Sequence, residues 1–177
     1  WAEESHAGRA PAHAHALCLP TSVPGVMTLH QGYAFLQQKD KVTIVIANQA
    51  QVRHIYLNVP HSKNLKPSWY GESVGHYEGD TLVVDTIGVD PRTILDAYRT
   101  PHTDKLHVVE RWRTTDGGKG LEVMITVDDP DSFYLPWSLR IRDQRGEDPF
   151  LEVICAESNQ NFGLFDFHTP MAAKPDF

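Results

Sequence analysis

What this chain lacks narrows its reading before anything it contains. Lys and Arg number 16 against 23 Asp and Glu, and they form no basic block. The electrostatic footprint of a nucleic-acid-binding protein is therefore missing, as is a polybasic membrane patch. With a formal charge of −7, the expected partner is neutral or cationic, or apolar enough to ignore the field. No apolar run approaches the ~18 residues that a membrane span needs, so a soluble chain with no membrane partner is expected. Cysteine is limited to Cys18 and Cys155, and neither a CxxC pair nor a Cys/His zinc spacing occurs. There is no GxSxG elbow and no Cys–His signature. There is also no glycine-rich phosphate loop, since GDT and DGGKG belong to hairpins rather than strand–helix turns.

What remains is enough for one domain. The 177 residues are 41% hydrophobic, and four Trp, six Tyr and seven Phe supply large core side chains. WAEESHAGRAPAHAHA, residues 1–16, has no periodicity and is expected to be a loose arm. Its His6, His13 and His15 read as a solvated tail more readily than as a metal tract. Residues 17–177 form the domain. In an oxidising compartment a Cys18–Cys155 bridge would close nearly the whole chain, worth about 4–5 kcal/mol by loop entropy. In a reducing one the two are buried free thiols. The chain begins at Trp1 rather than Met and shows no signal peptide, from which a processed product of secreted or periplasmic origin is expected.

From Cys18 onward the pattern is of strands. YAFLQQ, KVTIVIA and QVRHIYL follow one another, and NVPHSKNLKP is a loop. SVGHYEGDTLVVDTIG reads strand, turn, strand about Glu78-Gly79-Asp80. VDPRTILDAYR suits a short helix, with Asp90 as N-cap and Pro91 in its first turn. LHVVERWR and LEVMITVDD flank the loop TTDGGKG, and WSLRIR and FLEVICAE flank DQRGEDP. DDPDSF (128–133) is acidic enough for calcium but reads as a β-turn. The aromatic tail is expected to lie over a barrel mouth or sheet face. Eight to ten short strands with turn signals every 8–12 residues make an all-β protein. Sequential hairpins favour an antiparallel up-and-down barrel of the lipocalin or calycin sort over a jelly roll.

Strand alternation assigns faces. In LHVVERW, Leu106, Val108, Glu110 and Trp112 form the apolar, inward face, and His107, Val109, Arg111 and Arg113 point out. Asp85 shares a face with Thr81, Val83 and Ile87, opposite Leu82, Val84 and Thr86. His54 lies with Val52 and Tyr56, opposite Arg53, Ile55 and Leu57. A buried carboxylate is costly unless paired. Glu110 and Asp85 must therefore meet each other or a polar partner. Two such acids in one dry cavity would make an acid–base site. A pair such as Glu110 with Arg53 or Arg140 would serve only the fold.

These placements carry the functional expectations. The first is a secreted barrel enzyme, a lyase, isomerase or hydratase, acting on a small apolar or aromatic compound by proton transfer with no cofactor. Glu110 or Asp85 would be its base, His102 its rim acid, and Tyr56 or Arg53 would steady negative charge. Trp69, Tyr70, Trp112 and His54 would bind the substrate, with core packing the competing role for Trp112. The second is a carrier that binds a small ligand without chemistry. The third is a metal-dependent oxidase or hydrolase. There His61 and His102, both in Pro-His-Ser/Thr turns, would join His76 or Asp104 around Zn, Cu or Fe. Self-association into a homo-oligomer is left open.

SWYGESVGHYEGDTLVVDTIG, followed by PHTDKLHVVERW, LEVMITVDDP, PW and EVICAE, resembles a family of uncharacterised exported bacterial proteins. The likeness covers about Cys18 to Glu157 and is densest in W-x-G-x-S-V-G-x-[WY]-E-G-D-T-L-V-V-D-T. It implies export, and with export the disulfide, and it transfers no catalytic residue.

Overall fold

Alternating apolar and polar side chains, broken by Gly- and Asp-bearing turns, become eight strands: β1 (Tyr33–Gln37), β2 (Lys41–Ile46), β3 (Gln51–Leu57), β4 (Glu72–Glu78), β5 (Thr81–Ile87), β6 (His107–Thr115), β7 (Gly120–Asp128) and β8 (Trp137–Gln144). The computed structural model describes residues 20–28, 32–47, 51–96, 98 and 100–147. The N-terminal arm (1–16), Cys18, Cys155, the strand expected at 150–157 and the aromatic tail lie outside the described residues.

The strands form one sheet in sequential order, β1 to β8. The fold is all-β, and the sheet curls into a half-barrel. A two-layer jelly roll does not describe it. Two features depart from the expected antiparallel, closed barrel. Among the described residues the sheet ends at β1 and β8, which do not pair with each other. In addition, β3 and β4 run parallel, joined by only three residue pairs from Ile55–Ser73 to Leu57–Gly75. The cause of the parallel pairing is the connection. Every other adjacent pair is antiparallel, several through tight turns, whereas residues 58–71 carry Pro60 and Pro67 and return the chain to the starting end of the sheet.

Turn chemistry explains the hairpins. Between β4 and β5, Gly79 takes φ +58°. Between β6 and β7, Asp116, Gly117 and Gly118 hold φ of 52°, 65° and 88° in succession, which the DGG sequence tolerates. The helix expected after Asp90 does not form among the described residues. Asp90 does accept the Arg92 amide (2.9 Å), and Thr93 N–H reaches the Asp90 carbonyl (2.9 Å). The Asp96 carboxylate then takes the amides of Tyr98 (2.8 Å) and Thr100 (3.1 Å) and turns the chain away.

The core lies on the inner face. Ile44, Ile55, Leu82, Val84, Val108, Trp112, Val123 and Ile125 meet Val23, Val26 and Met27 from the 3-10 turn at Gly25–Thr28, with Val89, Leu95 and Leu106 from the β5–β6 connection. The crossover loop 58–71 is pinned to the end of β5. Ser68 N–H donates to Gly88 O (3.0 Å), and Asp90 N–H donates to Ser68 O (2.9 Å). Leu65 packs on Gly88, where a Cβ would meet its side chain at 2.6 Å. Arg92 lies 4.7 Å over the Trp69 ring.

Gly71 and Gly79 test this packing. Both have positive φ, but a Cβ on Gly71 would meet Ile87 O at 2.5 Å, whereas one on Gly79 meets nothing within 4 Å. Gly79→Ala should cost about 1–2 kcal/mol from backbone conformation alone. Gly71→Ala should cost clearly more, because a carbonyl cannot move aside as a side-chain tip can. Equal losses in urea denaturation would refute the assignment.

Candidate functional site

The short β3–β4 ladder leaves a gap at the N-terminal half of β3, and the crossover loop lies along it. The result is a cleft of about 600 Å³. Its walls include His54 and Tyr56 from β3, Trp69 and Tyr70 from the loop, and Arg53 with Ser73 toward the interior. Five residues singled out from the sequence therefore share one cavity: Arg53, His54, Tyr56, Trp69 and Tyr70. Trp112 is not among the cleft's lining residues. It is buried and packs edge-on against Phe35, with ring centroids 5.5 Å apart.

Inward from the cleft sits a charged pair. Arg53 is 1% exposed and Glu110 0%. Arg53 Nη1–H donates to Glu110 Oε1 (3.0 Å), and Nη2–H donates to Oε2. Nη2 also reaches Thr86 Oγ1 (2.8 Å), and Nε–H donates to Ser73 Oγ (3.1 Å). Alternation requires this convergence. Registers Ile55–Ser73, Ser73–Thr86 and Val84–Glu110 place Arg53, Ser73, Thr86 and Glu110 on the inner face of four successive strands. Glu110 thus points inward and His107 outward, as the pattern predicts, and the buried acid meets Arg53. Ser73 and Thr86 escaped the sequence reading as partners, although Thr86 falls on the same face as Leu82 and Val84.

Asp85 lies on the opposite face from Glu110, so the two acids form no dyad. Its partners are histidines. His61 sets Nε2 2.9 Å from Asp85 Oδ1 and Nδ1 3.1 Å from Glu72 Oε1. His107 Nε2 lies 3.0 Å from Asp85 Oδ2. Ser62 donates its amide (2.7 Å) and its hydroxyl to Glu72. His61 is thus set between two carboxylates. Burial by itself would raise the Asp85 carboxyl, but hydrogen bonds from His61 and His107 outweigh it and hold the group below the usual range. Hydrogen bonds from the Ser62 hydroxyl and amide, with His61, lower Glu72 likewise.

The remaining histidines sit elsewhere. His102 is buried, with Nε2 2.7 Å from Thr93 Oγ1 and Nδ1 2.8 Å from Thr103 O. The carbonyl requires Nδ1 to donate, so Nε2 accepts from Thr93 in the neutral ring. With both nitrogens engaged, His102 joins two turns and does not reach toward Glu110 as a rim acid. Burial pushes its imidazole below the usual histidine range, against the opposing pull of the Thr103 carbonyl, Asp129 and Asp90. His76 is exposed on β4 beside Glu78 (3.2 Å). His61, His76 and His102 are thus not brought together. Among the described residues no group of three or more His, Cys, Asp or Glu is placed to hold a metal ion.

Two predictions follow from these partners. Glu110→Gln or Arg53→Met should each destabilise the fold by about 3–5 kcal/mol, because one leaves an unpaired cation and the other an unpaired acid. Arg53→Met with Glu110→Leu should recover most of the loss. Denaturant midpoints that add across the two sites would contradict the pairing. The second prediction concerns pH. Because folding lowers the His102 value, the unfolded chain takes up protons first, and stability should be full above about pH 6.5 and fall as pH drops below it. A further loss should begin near about pH 4, where Asp85 and Glu72 protonate in the unfolded chain before the folded one. His102→Gln should remove the first stage and leave the second. No protein-family profile matches the chain, and neither a curated protein nor a solved structure shows significant similarity to it.

Proposed function

We propose that the protein binds a small, planar, largely apolar compound in the β3–β4 cleft and does no chemistry with Glu110. The observation that carries this reading is the meeting of Trp69, Tyr70, Tyr56 and His54 around one cavity of about 600 Å³. That volume is ordinary for small-molecule sites, and aromatic walls with a few polar groups suit flat ligands. Both Glu110 oxygens are committed to Arg53, which removes the proposed base from use. The carboxylate that does line the cleft, Glu72, is held low and is a weak base near neutral pH.

A proton-transfer enzyme is the second reading, and one observation favours it: Glu72 lines the cleft and is hydrogen-bonded to His61, which also touches Asp85. The acid–base pair would then be Glu72 with His61. A panel of small aromatic compounds, followed by Trp fluorescence and calorimetry, decides between them. A carrier returns each ligand unchanged, and Trp69→Ala weakens binding about tenfold or more. Turnover that is abolished by His61→Gln while affinity persists would establish the enzyme. Unaltered affinity in Trp69→Ala would remove the cleft from either account.

We also propose that the protein is exported and that Cys18 and Cys155 form a bridge; both rest on the family resemblance. Thiol titration of the denatured protein, purified without reductant, should find no free thiol, and two free thiols would count against the bridge.

A further inference from the structure

Net charge and local charge disagree in this protein. The whole chain is acidic, yet the acids on and beneath the cleft wall already hold hydrogen-bond partners. Glu72 accepts from Ser62 and His61, and Glu110 accepts twice from Arg53. Arg92, which stacks on Trp69, is paired with Asp90. Lys66 also lines the cleft, and no counter-ion or hydrogen-bond acceptor meets its ammonium group among the described residues. Tyr56, half-exposed on the same wall, adds a phenol donor.

From this balance we infer that the cleft selects planar compounds carrying a single negative charge, with the aromatic part against Trp69 and Tyr56 and the anionic group at Lys66. The inference rests on the reading of the cleft as a small-ligand site and adds the charge class of the ligand. A cationic compound at Glu72 would compete with His61 and Ser62, which already occupy three of the carboxylate's acceptor positions. A neutral compound would leave Lys66 solvated and gain nothing from it. Because Lys66 is exposed, its contribution is that of a surface ion pair, a preference and not an absolute requirement.

The test uses three probes that share a naphthalene ring and carry a one-carbon polar group of different charge: 1-naphthoate, 1-naphthamide and 1-naphthylmethylamine, each titrated into the full chain by calorimetry. The acid should bind about two- to fivefold more tightly than the amide, and the amine more weakly than either. Lys66→Gln should bring the acid to the amide's affinity and leave the amide unchanged. Lys63→Gln, which alters the same loop off the cleft wall, should preserve the acid's advantage and so separates contact from general field. The inference is overturned if acid and amide bind equally, if the amine binds best, or if the advantage survives in Lys66→Gln. In each of those outcomes the small-ligand reading stands. Failure of all three probes to bind would overturn that reading and the charge preference together.

Discussion

The buried pair of Arg53 and Glu110 is the constraint on which the arrangement of this sheet depends. Arg53 comes from β3 and Glu110 from β6, while Ser73 on β4 and Thr86 on β5 supply the intervening hydroxyls. Dehydrating two such charges costs several kcal/mol each, and only a two-pronged contact with its remaining donors satisfied compensates. The network also fixes register. A slip of one residue in any of the four strands would turn its member of the network to the other face. The weakest ladder in the sheet, the three-pair parallel contact between β3 and β4, is the one the guanidinium reaches across.

The cleft is a consequence of the same weakness. Parallel pairing requires a long return, and residues 58–71 provide it. They run beside the gap and are held by Ser68 at Gly88 and Asp90, by Leu65 on Gly88, and by His61 between Glu72 and Asp85. Inner and outer polar systems therefore flank one cavity. The inner one is buried and neutral as a pair, whereas the outer one is partly exposed and centred on His61. The loop that supplies the aromatic wall is also the loop that the outer system ties down, so ligand binding and the His61 contacts share a single segment of chain.

Several substitutions that look like tests of chemistry are tests of folding here. Glu110 is removed from solvent with both oxygens bonded, so altering it withdraws a counter-ion. His102 joins the turn after Asp90 to the turn before β6 through Thr93 and Thr103. Asp129, buried nearby, takes the Thr103 amide and hydroxyl and fastens that turn to the end of β7. The stretch PHTDKLHVVERW thus divides by physical setting. Its first half is a bonded turn, and its second half sends one acid into the interior and one imidazole to the outer face.

The amino-acid sequence by itself determined the strands, most of their turns and the facing of their side chains. Glu110 inward, His107 outward and Arg53 opposite His54 all follow from two-residue pleating and turn preferences, which act between near neighbours. It did not determine the parallel step from β3 to β4, the unclosed curl, the turns that stand in place of a helix after Asp90 among the described residues, or the choice of Arg53 over Arg140 for Glu110. Those outcomes turn on which strands lie side by side. The Arg53–Glu110 contact spans 57 residues and the His61–Asp85 contact 24. No local pattern encodes a partner at that separation, and only the assembled sheet brings the two ends together.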